Sequence, residues 1–362
     1  MFRFAAASAA LLASTAIAQA GGLDRSGLGI SPIFEDGTYV ELSFGSVMPS
    51  VSGTVMGQSS GNMAQDYLNY SFAVRDDLTD RLSYAVMYEQ AFGAAVDYRN
   101  ASANYPLILG LQGNSFAAEL SGTALTAMLR YELSDRFSIY GGLRYVTMSG
   151  EILFDDVPQT LTFESSSDVG YLIGAAFEIP DIALRASITY NSETEHNNPV
   201  SNSLPIVTGL GPYATETGAY VLPQSVNIDF QTGIAEGTLL LASVRWAEWT
   251  ETAINTQSAL GTIDYDNDVF TYSLGVARRL SDDFAVLGRV TYEDAKGGLA
   301  SNLAPTDGSL GLSLAGIYDV GNARITAGVN YTWLGDATTE TIGADFSGNS
   351  AWGLGVRVGF SF

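Results

Sequence analysis

The C-terminal segment Ser350–Phe362 (SAWGLGVRVGFSF) alternates strictly between large apolar residues and small or polar ones. A period of two residues is typical of a β-strand whose two faces meet different surroundings. The second face carries three glycines and Arg357, which suits a crowded or wet lumen better than the exterior of a soluble sandwich. The segment therefore predicts the closing strand of a transmembrane β-barrel. Its apolar face consists of Trp352, Leu354, Val356, Val358, Phe360 and Phe362.

Segments with the same alternation recur from Thr38 onward, and they number about fourteen, an even count as bacterial single-chain barrels require. Short connections rich in Asp, Asn, Gly, Ser and Pro alternate with long ones, as expected for periplasmic turns and outer loops. The sequence therefore predicts an all-β fold, a transmembrane antiparallel β-barrel over residues 38–362. The long loops are expected at 49–65, 93–118, 155–166, 196–223, 254–265, 295–306 and 335–349.

The first twenty residues have the features of a signal peptide. Arg3 supplies a positive charge, Phe4–Ile17 is an apolar run too short to span a bilayer, and Ala18-Gln19-Ala20 forms a small-x-small cleavage site. Residues 1–20 thus predict export in a Gram-negative cell. The remainder has no run of 18 apolar residues, and a chain without one can cross a membrane only as a closed barrel. The expected location is the cell outer membrane.

Composition limits the partners. There are 39 acidic and 16 basic residues, and this balance excludes nucleic-acid binding because phosphate contacts need clustered cations. The absence of cysteine excludes disulfides and cysteine-based metal sites, and neither a metal nor a cofactor is predicted. Much of the acidic charge lies in predicted turns and loops, such as Asp76-Asp77. This charge keeps the surface soluble, or it binds divalent cations that bridge to outer-membrane lipid and lipopolysaccharide.

Half of the basic residues are arginines that lie out of phase with the apolar faces, so they are predicted to point into the lumen. A charge on the lipid face at mid-depth would cost roughly 2–4 kcal/mol, which supports this phase. Two interpretations remain open. The arginines form a structural ladder with glutamates, or one or two of them, such as Arg130 or Arg144, bind an anionic ligand through their forked guanidinium. The set comprises Arg75, Arg130, Arg144, Arg185, Arg245, Arg289, Arg324 and Arg357.

Two of the predicted outer loops are more apolar than loops that face water usually are. They contain Tyr105–Leu111 in one case, and Leu204–Leu210 followed by Tyr213 and Tyr220–Leu222 in the other. Such surface marks a binding site, or the loops pack on each other as a lid. We expect them to form a groove for an apolar substrate. The residues expected to contact it are Leu107, Leu109, Leu204, Ile206 and Tyr213.

Several stretches make the chain resemble the long-chain fatty acid transporter family of outer membranes, the FadL/OmpP1/TodX-like proteins. Ser26–Gly29 resembles the start of that family's N-terminal hatch. The stretches Leu222–Val226, Gly237–Trp249, Ala304–Asp307 and Val329–Tyr331, together with the terminal Phe362, resemble its later strands in the same order. The resemblance covers most of the exported chain and depends on the order of the stretches rather than on a single motif.

The resemblance implies a fourteen-stranded barrel with a plug, substrate capture in an outer groove, and passive exit through the wall or past the hatch. Residues 21–37 would be a short hatch, with Ile33 and Phe34 contacting the substrate tail and Arg130 or Arg144 its carboxylate. Phe362 would be presented to the barrel-assembly machinery. The family's hatch is usually longer and carries Asn-Pro-Ala, whereas this chain has Ser31-Pro32, which places the usual gating in question.

The predicted function is therefore passive transport of hydrophobic compounds, with long-chain fatty acids as the expected substrate. One alternative is a general diffusion porin for small polar solutes, which would have polar loops and an unplugged lumen. Another is a barrel with lipase or protease activity. The only histidine is His196, and no G-x-S-x-G motif is present, so an enzyme is not predicted.

Overall fold

The computed structural model describes residues 22–106, 115–155, 159–203, 217–255 and 262–362. Fourteen antiparallel strands close into a barrel, which confirms the predicted fold class and strand number. The predicted signal peptide lies outside the described residues. The strands are β1 (Tyr39–Ser50), β2 (Tyr67–Thr79), β3 (Leu82–Asp97), β4 (Phe116–Glu132), β5 (Phe137–Phe154), β6 (Gln159–Ile179), β7 (Leu184–Asn191, continued by Thr194–Asn202), β8 (Thr217–Leu222, continued by Ser225–Ala235), β9 (Thr238–Ala247), β10 (Val269–Arg279), β11 (Phe284–Glu293), β12 (Ser309–Val320), β13 (Ala323–Leu334) and β14 (Ser350–Ser361).

The remaining elements are short. No helix among the described residues has the length and apolar character needed to cross a membrane. Three 3-10 helices span Ser31–Phe34, Pro180–Ile182 and Trp249–Glu251. Small strands in the long connections span Gly53–Val55, Gln58–Ser59, Ala253–Asn255, Thr262–Asp264, Leu299–Ala300, Ala337–Thr339 and Asp345–Phe346.

The barrel closes between its first and last strands. The β1–β14 ladder runs without interruption from Tyr39 opposite Ser361 to Ser50 opposite Ser350. The backbone N–H of Phe362 then donates to the carbonyl of Thr38 at 2.9 Å. This pairing confirms the prediction made from the alternation of the final segment. The barrel has two ends. We call the end with the short connections the turn end, and the end with the long connections the loop end.

The apolar faces predicted from the sequence point outward in every strand. Phe44 of β1 is 58% exposed, and Leu143 of β5 is 61% exposed. The opposite residues, including all eight predicted lumen arginines, are buried or half-buried. An apolar outer belt on a closed barrel is the surface that a membrane-spanning barrel presents to lipid.

Five strands extend further toward the loop end than predicted, β3, β4, β6, β7 and β8, so the loops expected at 93–118, 155–166 and 196–223 are shorter than expected. β3 continues to Asp97, β6 already begins at Gln159, and β7 continues to Asn202. The reason is a register shift in two of these strands, between Gln90 and Phe92 in β3 and between Phe163 and Ser166 in β6. A β-bulge reverses the alternation, so beyond it the apolar side chains face inward and no longer continue the outer pattern.

The described N-terminal segment, residues 22–37, lies inside the barrel. Its 3-10 helix places Ile33, which is fully buried, and Phe34 among lumen-facing residues of the strands. The Phe34 ring meets the edge of Tyr140 with centroids 5.6 Å apart. Closer to the loop end, Leu23 and Leu28 pack in a second buried cluster with Phe92, Met148 and Trp249. The segment thus crosses much of the lumen before it enters β1.

Candidate functional site: an apolar cavity and a gap in the wall

A mainly apolar cavity of 90 Å³, which we call the outer cavity, lies in the half of the barrel nearest the loop end. Its walls come from inward-facing residues of the strands, its base from Gly22 and Leu23 of the N-terminal segment, and its remaining side from the connections after β9 and β11. The apolar residues that matter most for its shape are Leu23, Val96, Leu120, Ile152, Phe163 and Ile254.

The two bulges explain why this half of the barrel has an apolar interior. Beyond the β3 bulge, Phe92 and Val96 face inward, whereas before it the even-numbered residues such as Tyr88 face outward. In β6 the residues on the loop-end side of the bulge, Leu161 and Phe163, are likewise buried. Beyond the bulges, both strands therefore present large apolar side chains to the lumen.

A buried ion pair joins the N-terminal segment to the wall beneath the outer cavity. The guanidinium of Arg245 in β9 donates to both carboxylate oxygens of Asp24, with three N–O distances between 2.8 and 3.0 Å. Two lumen amides support the pair: Asn69 donates to the carbonyl of Arg25 at 2.8 Å, and Asn227 donates to that of Gly27 at 2.9 Å. These contacts fix the segment's depth in the lumen.

The wall opens between β2 and β3, and we call this opening the wall gap. The β2–β3 ladder ends where Ser71 lies opposite Glu89. Beyond that point β3 forms backbone hydrogen bonds with the N-terminal segment instead of with β2. The N–H of Arg25 donates to the carbonyl of Ala91 at 2.8 Å, and the N–H of Gly93 donates to the carbonyl of Leu23 at 2.8 Å. Glycine is needed at position 93 because a Cβ there would lie 2.6 Å from Nε of Arg25.

The wall gap connects the N-terminal segment with the lipid-facing surface. It contains a cavity of 50 Å³ lined by Tyr70 and Phe72 of β2, by Tyr88 and Gln90 of β3, and by Ser26 of the segment. Tyr70, Phe72 and Tyr88 are members of the outward apolar set. Nearer the loop end β3 is bonded to the connection that precedes β2, where Asp97 donates its N–H to the carbonyl of Met63 at 2.7 Å.

The site residues predicted from sequence fall into three groups: two residues of the N-terminal segment, two lumen arginines and five loop residues. Ile33 and Phe34 lie together near the turn end, as described above, and Phe34 also lies beneath two guanidinium groups, those of Arg185 at 4.5 Å and Arg130 at 5.1 Å. Arg130 bonds to Glu178 and to Ser138 and lies 3.3 Å from Glu132. The predicted loop contacts Leu107, Leu109, Leu204, Ile206 and Tyr213 lie outside the described residues.

Arg144 is bonded on only part of its guanidinium. Its Nε donates to Thr126 at 2.9 Å and its Nη1 to Asn191 at 2.6 Å, while Nη2 has no hydrogen-bond partner among the described residues. Most of the other lumen arginines have ion-pair partners, such as Asp77 for Arg75 and Glu41 for Arg357. Of the two arginines singled out from the sequence, Arg144 therefore keeps more hydrogen-bonding capacity than Arg130.

Sequence reasoning missed several residues of the outer cavity, among them Asn198 and Tyr265. Asn198 falls in a segment predicted to be a loop, and Tyr265 lies within the acidic stretch Asp264–Asp268, which has no alternation. Trp249, which packs against Tyr265 with ring centroids 5.1 Å apart, is also fully buried. A fully buried tryptophan is unusual, but nothing in the local sequence distinguishes it from an interfacial one.

Comparison with known proteins agrees with this architecture. No protein-family model matches the chain, and no curated protein matches it in sequence. Among solved structures, a FadL homologue of Pseudomonas aeruginosa is similar, with 12% identity, a TM-score of 0.72, and coverage of 95% of this chain and 96% of that one. The toluene transporter TodX of Pseudomonas putida has 14% identity, a TM-score of 0.64, and coverage of 90% of each chain.

A third similar structure is the toluene transporter TbuX of Ralstonia pickettii, with 13% identity, a TM-score of 0.60, and coverage of 96% of this chain and 98% of that one. The likeness extends over nearly the full length of both chains in each case. The chain therefore has the barrel fold of the FadL and TodX outer-membrane proteins that its sequence resembles.

Proposed function

We propose that the protein is a passive transporter of hydrophobic compounds in the outer membrane, and that it carries out no catalysis. The proposal depends chiefly on one observation: the N-terminal segment connects the outer cavity with the wall gap. Leu23 lines the outer cavity, and Ser26, three residues later, lines the gap. A compound released from the cavity past this segment would reach lipid-facing tyrosines through the gap, which Glu41, Glu89 and Arg357 also line, without passing along the rest of the lumen.

The driving force for capture is transfer of apolar surface out of water. Each methylene buried in the outer cavity contributes about 0.8 kcal/mol. The cavity wall is supplied by rigid paired strands, so little ordering of the protein opposes binding. In this scheme residues 21–37 act as the plug. Phe34, which lies beneath Arg130 and Arg185, blocks passage through the lumen toward the turn end. The alternative of a general diffusion porin is disfavoured because the segment's contacts occupy the lumen.

Long-chain fatty acids and single-ring hydrocarbons are both proposed substrates. Two of the similar structures are toluene transporters, and long-chain fatty acids are the substrate that the resemblance to the FadL family implies. For a fatty acid, Arg144 is the proposed contact of the carboxylate because one of its guanidinium nitrogens has no partner among the described residues. The loop residues Leu107, Leu109, Leu204, Ile206 and Tyr213 remain proposed contacts for the tail.

Crosslinking across the wall gap tests the exit route. The rings of Tyr70 and Tyr88 flank the gap with centroids 6.2 Å apart, and the chain has no cysteine of its own. A Tyr70→Cys/Tyr88→Cys variant treated with a cleavable bismaleimide would tie β2 to β3. The matched control is Tyr272→Cys/Tyr292→Cys, a cross-strand pair in an unbroken part of the wall.

Uptake of radiolabelled toluene and oleate by cells that express each variant, and otherwise lack such a transporter, is the readout. We expect the linker to reduce uptake by the gap variant to the level of cells without the protein, and cleavage of the linker to restore it. The control variant should keep its uptake throughout. Full crosslinking with unchanged uptake would contradict the exit route, and uptake no faster than in cells without the protein would contradict transport itself.

A further inference from the structure

The outer cavity is not purely apolar, because three buried polar atoms border it without a hydrogen-bond partner among the described residues. These atoms are Oδ1 of Asn198 and the hydroxyl oxygens of Tyr220 and Tyr265. Asn198 is fully buried and Tyr220 is only 6% exposed. A buried polar group left unsatisfied destabilises a protein by about 1–3 kcal/mol, so three at one cavity mark a place for the polar atoms of a ligand or of bound water.

The orientation of the Asn198 amide is set by its other bonds. Its Nδ2 donates to the carbonyls of Met148 at 2.9 Å and of Glu164 at 2.6 Å. Two acceptors require the NH₂ group on that side, so Oδ1 is the atom left at the cavity. Glu164 belongs to the bulge of β6, and the bulge is therefore what exposes its carbonyl to Asn198. The cavity thus has one acceptor in a fixed position.

The two tyrosines supply donors, and each ring is held by an aromatic neighbour. Tyr220 lies opposite His196 in the β7–β8 ladder and stacks on its imidazole with centroids 5.6 Å apart. Tyr265 packs against Trp249. Burial raises the pKa of the Tyr265 phenol, with the nearby carboxylates of Asp24 and Asp264 acting in the same direction. That hydroxyl therefore stays protonated and able to donate at any physiological pH.

The charges around the cavity disfavour an anionic ligand. No lysine or arginine is among its described lining residues, and the two lining residues that carry carboxylates, Glu119 and Glu151, are exposed. The nearest arginine of the segment, Arg25, lies over the ring of Tyr67 at 3.7 Å from the centroid. A carboxylate placed in the cavity would lose its hydration without gaining a cation to pair with.

A single hydroxyl group matches this arrangement, because its oxygen accepts from a tyrosine while its hydrogen is donated to Asn198. We propose that the outer cavity selects apolar molecules that carry one uncharged hydroxyl group, namely alcohols or phenols, over plain hydrocarbons and over carboxylates. This inference rests on the proposed transport function and narrows its substrate class. Arg144, the contact proposed for a fatty acid, is not among the residues that line this cavity.

Three probes that share one toluene frame separate the possibilities: p-cresol, toluene and 4-methylbenzoate. Each would be radiolabelled and dialysed to equilibrium against the protein in lipid nanodiscs, with empty nanodiscs subtracted. One neutral hydrogen bond contributes roughly 0.5–1.5 kcal/mol, so we expect p-cresol to bind about three- to tenfold more tightly than toluene. The benzoate should bind most weakly of the three.

Tyr220→Phe/Tyr265→Phe removes only the two hydroxyl groups. We expect it to weaken p-cresol binding by about three- to tenfold and to leave toluene binding unchanged. The control is Tyr318→Phe on the lipid face, where the tyrosine is 49% exposed. Equal binding of p-cresol and toluene, or equal losses of both in the double variant, would overturn the hydroxyl selectivity while leaving transport intact. A double variant that keeps full p-cresol preference would overturn the assignment to this cavity. No saturable binding of any probe would overturn the proposed function together with the inference.

Discussion

The ion pair between Asp24 and Arg245 should decide whether the N-terminal segment stays seated in the lumen. Arg245 makes three of its bonds to Asp24 and two more to Ser225 and Asn227, both at 2.9 Å. Asp24→Asn keeps the shape of the side chain but leaves the guanidinium buried without its counterion. Breaking one side of a buried pair costs about 3–5 kcal/mol.

Most of that free energy should be lost from the binding of the segment in the lumen and not from the stability of the barrel, because the strand pairings on either side of Arg245 do not involve Asp24. A loss of 3 kcal/mol raises the unseated population by about a hundredfold, at roughly 1.4 kcal/mol per factor of ten. An unseated segment leaves a lumen lined by arginine and glutamate, which conducts ions. Single-channel recording in planar bilayers is therefore the assay, and we expect Asp24→Asn to open far more often than the native protein.

Asp36→Asn is the matched control, since it removes the same charge from the same segment at an exposed position with no ion pair among the described residues. It should record like the native protein. Asp24→Glu should be intermediate, because it keeps the charge but displaces the carboxylate. Native-like recordings from Asp24→Asn would refute the reasoning that this ion pair seats the segment.

Three further results are expected. Gly93→Val should push Arg25 away from β3 and make the segment accessible to trypsin in folded protein, whereas Gly29→Val should not, because nothing lies within 4 Å of a Cβ built at position 29. Oleate uptake should fall on replacing Arg144 with Met, whereas Arg130→Met should chiefly lower the temperature at which the barrel unfolds in gel-shift assays; the reverse assignment would restore Arg130 as the carboxylate contact. Burial raises the pKa of Tyr265 in the folded state above its unfolded value of about 10. Its contribution to the free energy of unfolding is therefore fully present below pH 10 and is lost as the pH rises further, because the unfolded chain then loses the proton first. Thermal unfolding followed from pH 7 to 11 should show that decline, and Tyr265→Phe should flatten it; an identical decline in the variant would rule out Tyr265 as a source.

The parts of the barrel predictable from sequence are those in which a strand keeps one phase from end to end. In β14 every large apolar residue from Trp352 onward is on the outer face, and Arg357 lies inside within 3.4 Å of Glu41. One face of the strand contacts lipid and the other faces a charged lumen, so alternate residues must be apolar and polar. The alternation therefore predicts which residues point outward and which point inward. The pairing of β14 with β1 follows from closure and needs no further information.

The candidate site was less predictable because it depends on departures from that pattern. The bulged residues themselves, Ala91 in β3 and Glu164 and Ser165 in β6, are neither glycine nor proline, so the sequence of the bulged strands gives no signal for the reversed alternation. The Asp24–Arg245 pair joins residues 221 positions apart, and no local pattern identifies such partners. Ile33 and Phe34 could be singled out as lumen residues, but their neighbours Tyr140 and Met128 could not.

The bonding of β3 beyond Glu89 has a consequence for aggregation. A barrel ordinarily has no free sheet edge, but the wall gap leaves one side of β3 without its neighbour β2. The carbonyl of Leu23 and the N–H of Arg25 cover that edge, with Asp24 forming a bridge to Phe92. Loss of the segment would therefore do more than empty the lumen. It would expose a short strand edge within the membrane, where unpaired backbone groups are most costly and where a strand from a second copy could add to it.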